Sequence, residues 1–385
     1  MRAVLLHADW DPRPDYRPTE AEVASRKATV ASRVWRRPRF VATDVPDPTP
    51  AADDVLLRVR ACGICGSDTH CYEQDADGYL LFSGPLRAPC IGGHEYAAEV
   101  VEVGPAVRHL RRGELVVGEG MLYCGLCEAC RRGRPNQCAH LDMVGFSAPG
   151  AFATWMTAKE RSLWSLTPLA DTLGDAERAL ELGALVEPIA VPYNGMFVSA
   201  GGFAPGAHVA VFGCGAVGLG AVALARAAGA ATIVAFEPIL ERRRLALALG
   251  ADEAWDPGTI APADAILALT RGWGADMVVE AAGAALQTLP QLEPALAAAA
   301  KLVYLGRTGL HAPMHLDVLV AQAASVSGAR GHAGGGCFPS VLRLLERRRL
   351  EVAPMITARV PFADATAALR RSSDRTDGKI LLRYA

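Results

Sequence analysis

Continuous apolar runs that alternate with helical patterns dominate the second half of the chain. Such runs predict strands buried on both faces, at residues 209–212, 232–236, 276–280 and 301–305. Between them lie helical patterns at residues 217–228 and 240–249. This βαβα alternation predicts an α/β fold with a doubly wound parallel sheet over residues 192–335.

The first part of the chain has a different pattern. Short alternating strands with proline-rich turns continue to about residue 120 and predict an antiparallel, barrel-like β domain. Residues 11–33 interrupt it, and their Pro, Arg and Glu content predicts a surface excursion with a weak helix capped at Thr19. A final strand at residues 379–383 can return to this domain. We therefore expect a first domain of residues 1–191 with a return of residues 336–385.

Composition agrees with two globular domains and excludes several function classes. The 385 residues are 51% hydrophobic and 21% charged, with a formal net charge of −2, so nothing favours nucleic acid or an anionic membrane as a partner. The sequence has neither an apolar run long enough for a membrane span nor the apolar core of a signal peptide, and we expect a cytoplasmic protein. In such a protein, ten cysteines indicate metal binding or catalysis before disulfides.

A glycine turn follows the first buried run with the spacing G-x-G-x-x-G. The residues of this turn that we expect to contact a cofactor are Gly213, Gly215, Ala216, Val217 and Gly218. The first glycine allows a tight turn, the second leaves room for a pyrophosphate, and the third lets the helix approach the strand. Glu237 follows the second buried run at the distance of a ribose-binding acid. Together these features predict a dinucleotide site.

Four closely spaced cysteines form the strongest local signal. They follow the pattern C-x2-C-x2-C-x7-C, at Cys124, Cys127, Cys130 and Cys138. Four thiolates on short flexible spacers can close a tetrahedron around a structural Zn²⁺. An iron–sulfur cluster is the alternative, but the ferredoxin spacing ends with a gap of three residues and a proline. Here the last gap is seven residues, and Ala139 follows.

A second possible metal site is dispersed along the chain. Cys65, His94, Glu95 and Glu187 offer one thiolate, one imidazole and two carboxylates. Such a set leaves a coordination position free for water or substrate, as catalytic zinc requires. Each residue alone has a commoner explanation, because a single cysteine usually packs in a core and a glutamate usually lies at the surface. The residues alone leave both interpretations open.

The order of these motifs resembles the zinc-containing medium-chain alcohol dehydrogenases, most closely the sorbitol, polyol and threonine dehydrogenase branch. The similar stretches are G-I-C-G-S-D-T-H at residues 63–70, G-H-E at 93–95, the four-cysteine lobe, A-L-V-E-P at 184–188 and the glycine turn. They span nearly the whole chain. The resemblance implies a GroES-like β-barrel catalytic domain, a Rossmann domain, and a homodimer or homotetramer.

The resemblance also implies roles for individual residues. Cys65 and His94 would hold a catalytic zinc, with either Glu95 or Glu187 completing the shell, and the four cysteines would hold a structural zinc. Ser67 would contact the reacting oxygen. His70 would lie where a proton relay reaches solvent. The glutamate at position 187 favours the polyol branch.

NAD is the cofactor that we expect, because Glu237 can bond both ribose hydroxyls and would repel a 2′-phosphate. Arg242, Arg243 and Arg244 follow closely and could instead meet the phosphate of NADP, but a solvated helix face is the explanation we prefer for them. Further candidates for the cofactor groove are residues 281–283, Gly306, Arg307, Thr308, Arg330 and Lys379.

Three functions fit the sequence. The first is oxidation of a secondary alcohol of a polyol, sugar or cyclitol, including an inositol or inosose, by hydride transfer to NAD. The second is the same chemistry on a threonine-like amino alcohol, glucose or a formaldehyde adduct. The third is a non-catalytic redox sensor that binds zinc and a nucleotide. Residues 71–90, where this family often shapes its substrate pocket, carry no recognisable substrate signature.

Overall fold

A computed structural model describes residues 1–307 and 311–385. The strands are β1 (Arg2–Trp10), β2 (Lys27–Ala28), β3 (Trp35–Asp44), β4 (Asp54–Gly63), β5 (Leu86–Arg87), β6 (Cys90–Ile91), β7 (Glu95–Val103), β8 (Leu115–Gly118), β9 (Met121–Leu122), β10 (Asp142–Met143), β11 (Trp155–Lys159), β12 (Leu163–Ser165), β13 (His208–Phe212), β14 (Thr232–Phe236), β15 (Glu253–Trp255), β16 (Ala275–Glu280), β17 (Leu296–Tyr304), β18 (Ser325–Gly328), β19 (Ile356–Pro361) and β20 (Lys379–Arg383).

Among the described residues, the helices of eight or more residues all begin after residue 175. In chain order, the helices are α1 (Glu20–Ser25), α2 (Gly66–His70), α3 (Glu128–Arg131), α4 (Thr167–Leu173), α5 (Ala176–Gly183), α6 (Val186–Tyr193), α7 (Ala216–Ala227), α8 (Leu240–Ala248), α9 (Pro262–Leu269), α10 (Ala285–Leu292), α11 (Leu316–Ala321), α12 (Cys337–Glu346) and α13 (Ala365–Ser372). Within the described part of the chain, no helix has the length and apolarity needed to cross a membrane.

The chain forms two compact units. The first contains residues 1–187, 358–375 and 379–385, and the second contains residues 188–357 and 376–378. We expected the return to the first domain to begin at residue 336, but residues up to 357 belong to the second unit. The 3₁₀ turn Ala353–Met355 packs against α8, which keeps this stretch in the second unit.

Strand β4 is central to the first unit. The largest sheet runs in the order β12-β8-β7-β4-β20-β19, and β11 also pairs with β4. The alternate residues Val55, Leu57 and Val59 of β4 are completely buried, as a half-buried antiparallel strand requires. They lie in a core that includes Tyr96 and Phe152. The end of β4 is thereby held rigidly.

The excursion at residues 11–33 folds back onto the first unit. Helix α1 begins at Thr19, as predicted, and Thr19 and Glu22 form a capping box. Strand β2 then pairs with β5 in an antiparallel ladder. Because Ala28 and Ala31 are completely buried, the expectation of a surface excursion holds for α1 but not for the residues after it.

The second unit is built on a parallel sheet with the order β15-β14-β13-β16-β17-β18. The four predicted apolar runs correspond to β13, β14, β16 and β17. Strands β13 and β16 are neighbours, with Phe212 opposite Glu280 at their carboxyl ends. In an open sheet of this kind, ligands bind outside the carboxyl ends of the strands, so this edge is where a cofactor site is expected.

Candidate functional site

Three antiparallel strands meet where the dispersed metal residues lie. Gly63, the last residue of β4, pairs with Glu95 at the start of β7 and with Leu381 near the start of β20. Cys65 follows β4 directly, and His94 precedes β7 directly. The register of the sheet therefore brings together residues that are far apart in sequence.

Cys65, His94 and Glu95 form a compact donor group. One ligand atom from each lies within 4.8 Å of the others, and His94 and Glu95 are buried. Behind them, one carboxylate oxygen of Asp68 lies 3.7 Å from His94 Nδ1, and the other accepts a hydrogen bond from the Cys65 amide at 2.9 Å. At 3.7 Å the Asp68 carboxylate does not accept a hydrogen bond from His94, but its negative charge lies beside the ring and leaves Nε2 as the nitrogen that can face a metal. Thiolate, imidazole and carboxylate together fit Zn²⁺.

Glu95 is engaged by a buried lysine. Lys379 Nζ lies 2.6 and 2.5 Å from the two carboxylate oxygens of Glu95 and donates a third bond to the Ile64 carbonyl at 3.0 Å. Only 2% of Lys379 is exposed. A Cβ on Gly63 would lie 2.1 Å from Glu95 Oε2, so glycine is required there for the pair to fit. The predicted contact of Lys379 with a cofactor phosphate is corrected, because its ammonium group already neutralises Glu95.

Glu187, the alternative ligand, lies at the start of α6 and is buried. It is not part of the compact group of three. It is nevertheless close enough to interact electrostatically, since burial and the negative charge of Glu187 raise the pKa of Glu95 while Lys379 opposes that rise. The structure thus places one carboxylate in the donor group and a second one nearby.

Helix α2 carries the two predicted relay residues. Ser67 Oγ lies 3.5 Å from His94 Nε2, beside the donor group. His70 is one turn further along the same helix, at a spacing that shares a helix face with Ser67. Burial, and then the positive charge of Arg375, lower the pKa of His70. Arg375 is held by Glu73 through bonds of 3.0 and 2.7 Å.

The four cysteines of the lobe lie together as predicted from their spacing. Cys127 Sγ is 3.5 Å from Cys130 Sγ and 3.8 Å from Cys138 Sγ, which is 3.6 Å from Cys124 Sγ. A regular tetrahedron with Zn–S bonds of about 2.3 Å has sulfur atoms about 3.8 Å apart, so the geometry fits a closed zinc site. Backbone amides lower the pKa of the Cys127 thiol to about 6, which favours the thiolate.

The glycine turn joins β13 to α7. Gly213 has a φ of 85°, which other residues rarely adopt. A Cβ on Gly218 would lie 1.8 Å from the Gly213 carbonyl oxygen, so the helix packs closely here. A Cβ built on Gly215 would instead lie 4.0 Å from the nearest atom, so there is open space beside this residue. Ala216 and Val217 begin α7, whose positive dipole end suits a phosphate next to that open space.

Glu237 follows β14 and is buried. Its Oε2 accepts a bond from the Cys214 amide at 2.8 Å, and its Oε1 accepts one from the Ile239 amide at 3.0 Å. The carboxylate is therefore fixed beside the glycine turn. Each carboxylate oxygen has a second lone-pair direction, which can accept a ribose hydroxyl.

The three arginines after Glu237 differ in their surroundings. Arg242 lies near the glycine turn, since its Nη1 is the atom 4.0 Å from a Cβ built on Gly215, and its Nε donates to the Asp377 carbonyl at 3.2 Å. Arg243 Nη1 donates to the carbonyl oxygen of Glu237 at 2.7 Å. Arg244 is exposed. Arg242 and Arg243 are therefore both placed close to the turn, where their positive charges act on Cys214.

The other predicted groove residues lie at the ends of β16 and β17. A Cβ on Gly306 would lie 2.2 Å from the Gly283 amide nitrogen and 2.6 Å from Glu280 Oε2. Gly306 therefore lets the two strand ends approach each other. Arg307 is exposed, but desolvation by neighbouring protein atoms and the positive charge of Arg330 lower its pKa, so these two side chains lie near each other. Thr308 lies outside the described residues.

Several functional neighbours were missed by sequence reasoning. Asp68 belongs to the motif after Cys65, and its sequence position does not show that its carboxylate lies beside His94. Phe146 is a second neighbour, with its ring centre 4.8 Å from that of His94. It is separated from His94 by about fifty residues and has no local signal. Only the fold shows that contact.

Two family models match the chain. The alcohol dehydrogenase GroES-like domain matches residues 51–168, and the zinc-binding dehydrogenase domain matches residues 216–347. The expected combination of a GroES-like domain with a Rossmann domain is confirmed by these matches and by the parallel sheet of the second unit.

Similar proteins cover most of the chain. Scyllo-inosose 3-dehydrogenase of Thermotoga maritima is 38% identical over 356 residues, 90% of each chain. L-threonine 3-dehydrogenase of Symbiobacterium thermophilum is 30% identical and covers 90% of this chain and 94% of its own. A solved structure from Thermotoga maritima superposes with a TM-score of 0.95 at 35% identity, covering 99% of both chains.

Proposed function

The chain belongs to the zinc-binding, GroES-like alcohol dehydrogenases, and from that premise we propose that it oxidises a secondary alcohol of a cyclitol or related polyol to the ketone, with NAD as hydride acceptor. The observation that carries the proposal is the donor group of Cys65, His94 and Glu95 with Asp68 behind the histidine. The same chain carries a separate four-thiol lobe. A protein that only binds metal in its lobe would have no need of the first group.

The residues of the first unit have distinct tasks in this proposal. When bound, zinc would supply a Lewis acid that lowers the pKa of the substrate hydroxyl, and the nicotinamide would accept the hydride. Cys65 and His94 would hold the metal with Glu95, and the negative charge of Asp68 lies 3.7 Å behind the His94 ring. The Ser67 hydroxyl, next to His94 Nε2, accepts the substrate proton while it passes its own proton on toward His70, so that the serine stays neutral. His70, with its lowered pKa, is neutral near pH 7 and can take up that proton.

The second unit binds the cofactor at the glycine turn. The open space beside Gly215 receives the pyrophosphate, and Glu237 accepts the ribose hydroxyls. NAD is favoured over NADP because the fixed carboxylate of Glu237 would repel a 2′-phosphate, and Arg243 is already bonded to backbone carbonyls. Comparing kcat/KM with NAD⁺ and NADP⁺ tests this assignment. A preference for NADP⁺ would overturn it.

The substrate class rests on similarity to the inosose dehydrogenase of Thermotoga maritima. The test is NADH formation by the zinc-loaded protein with cyclitols, linear polyols, aldoses and amino alcohols supplied at equal concentration. We expect the highest kcat/KM with an inosose or an inositol. If cyclitols and polyols were inactive while L-threonine reacted, the second candidate would replace the first, and the similarity to L-threonine 3-dehydrogenase is the observation that favours it.

Zinc content separates an enzyme from a sensor. Loading of both metal sites would give about two zinc ions per chain, and a single ion confined to the lobe would favour the sensor. Metal analysis of the wild-type protein, together with the activity panel, decides between these functions.

We also propose a homodimer or homotetramer. Strand β18 lies at the edge of the parallel sheet. Leu316 and Val320, in the helix α11 that precedes this strand, are 66% and 79% exposed, and Val326, in the strand itself, is 42% exposed. An uncovered edge strand with apolar neighbours favours pairing with another chain. Light scattering coupled to size-exclusion chromatography would measure the mass. A monomer at micromolar concentration would contradict the proposal.

A further inference from the structure

Residues 11–34, called the brace here, contact the first half of the loop that residues 75–87 form. Arg13 forms ion pairs with Asp75 and with Asp77, the latter at 3.4 Å, and its guanidinium carbon lies 4.0 Å from the centre of the Tyr79 ring. Arg13 Nε also donates to the Ser32 carbonyl at 3.0 Å, which ties it to the brace itself. One side chain therefore joins the two segments by charge, hydrogen bonds and stacking.

The second half of the loop is held by backbone contacts. The Ala31 amide donates to the Gly84 carbonyl at 3.0 Å, and β2 pairs with β5 with Ala28 opposite Leu86. Just after the brace, Trp35 Nε1 donates to the Leu86 carbonyl at 3.0 Å, and this bond is buried. The brace therefore contacts both halves of the loop.

The brace is itself rigid. Buried Glu22 accepts bonds from the Tyr16 hydroxyl at 2.8 Å and from the amides of Thr29 at 2.7 Å and Thr19 at 2.8 Å. These bonds gather three parts of the brace around one carboxylate. Such a segment can transmit a fixed position to whatever it touches.

The loop reaches the candidate active site at two points. The amides of Leu81 and Phe82 donate to the His70 carbonyl, at 2.9 and 3.1 Å. The Phe82 ring stacks on Phe146 with centres 4.4 Å apart and planes 13° apart, and Phe146 in turn contacts the His94 ring at 4.8 Å. The same loop therefore touches the relay helix and the wall behind a metal ligand.

The brace also reaches the segment that precedes Phe146. Lys27 Nζ donates to the Leu141 carbonyl at 2.8 Å and pairs with Asp142 at 2.7 Å. Both rings of the Phe82–Phe146 stack are consequently anchored by the brace, one through the loop and one through Lys27.

We propose that residues 11–34 are a positioning element for the active site: they fix the 75–87 loop and the Phe82–Phe146 stack, and so set the shape of the wall beside His94 against which the substrate is held. The choice of substrate rests on the proposed function, whereas the positioning of the loop does not. Arg13 is the positioning residue through which this link can be broken with least disturbance of the core.

The experiment compares Arg13→Ala with Arg33→Ala. Arg33 is the matched control, because it lies in the same brace and forms an ion pair with Asp15 at 2.6 Å that does not reach the loop. We expect Arg13→Ala to raise KM for the preferred alcohol about tenfold while kcat and zinc content change little, because the wall is misplaced and the metal ligands are not. Arg33→Ala should match the wild type, and Arg13→Lys should fall between.

Hydrogen–deuterium exchange of residues 75–87 in the zinc-loaded protein gives a second readout that needs no substrate. Exchange in this loop should be faster in Arg13→Ala than in Arg33→Ala, with the four-cysteine lobe unchanged. Equal exchange in both variants would overturn the positioning role. Faster exchange with an unchanged KM would overturn its link to the substrate. Absence of turnover in the wild type would count against the proposed function only, since the exchange result still decides the positioning.

Discussion

The two groups of metal ligands in the first unit are built on opposite principles. The four cysteines span fifteen residues, and short local loops with backbone amides hold their sulfur atoms together. Cys65 follows β4, whereas His94 and Glu95 are adjacent at the start of β7, and the group depends on Asp68 and Lys379 for charge balance. A local site can be recognised from spacing and contributes to stability, whereas a dispersed site depends on the whole fold and is suited to chemistry.

The largest contrast should come from removing one ligand of each group. Cys65→Ala should lower kcat by at least about a thousandfold, because a Lewis acid contributes several kcal/mol to the transition state, while the lobe keeps its zinc. Cys127→Ala should instead lose the lobe zinc and lower the thermal stability, with activity retained below the unfolding temperature. Metal analysis, kinetics and calorimetry on both variants measure this difference. Equal loss of activity in both would contradict the division of roles.

Removing the buried Lys379 should have an effect almost as large, but on the free energy of unfolding. Lys379→Met leaves the Glu95 carboxylate buried without its partner, and loss of one member of such a pair costs about 3–5 kcal/mol. Urea unfolding measures the change. Lys159→Met is the control, because the Lys159 side chain is 40% exposed in its ion pairs with Asp53 and Asp54, and solvent screening should make its contribution to stability much smaller. In the double variant with Glu95→Gln, much of the lost stability should return. An additive double variant would show that the two side chains do not act as a pair.

Removing the relay hydroxyl should affect turnover without affecting the metal. Ser67→Ala should lower kcat about a hundredfold, within the range for loss of a proton-transfer group, and leave zinc content intact. Ser165→Ala, which removes a hydroxyl bonded to Glu114 at 3.2 Å, serves as the control and should behave as the wild type. Unchanged turnover in Ser67→Ala would rule out the relay.

The smallest predicted effect concerns pH. Burial and the positive charge of Arg375 lower the pKa of His70, so Arg375→Gln should raise that pKa, and the unpaired carboxylate of Glu73 should raise it further. Because neutral His70 accepts the proton, the acid limb of kcat should move to higher pH by less than about one unit. The exposed Arg112→Gln variant should leave the profile unchanged. A shift to lower pH would contradict this role for His70.

The contrast between a local and a dispersed metal site also explains how much of the candidate site could be predicted from the sequence. The cysteine lobe and the glycine turn are short-range patterns in which spacing dictates geometry, so their residues could be identified directly. Cys65, His94 and Glu95 could be grouped only with the help of a family resemblance, because their proximity depends on the strand register at Gly63. The sequence placed Lys379 on the returning strand but could not show that its partner is Glu95. The role of a buried charge can be identified only when its partner is known, and a partner that is distant in the sequence leaves no local pattern.

Residues 11–33 also show that local sequence does not determine how a segment packs. Its polar composition predicted a surface segment, and α1 agrees with that prediction. However, Ala28 and Ala31 are too few and too small to give an apolar pattern, although both are completely buried. Composition averages over a segment, whereas packing depends on single residues that face inward.

The pairing of Glu95 with Lys379 also determines when each metal group can be completed during synthesis. These two residues are separated by 284 positions. The lobe can close as soon as Cys138 has left the ribosome, but the charge of Glu95 stays unbalanced until the strand that bears Lys379 emerges. At about 5–20 residues per second, that interval is on the order of ten to fifty seconds. The nascent chain would therefore be able to take up its first zinc well before the second group could hold one in its final form.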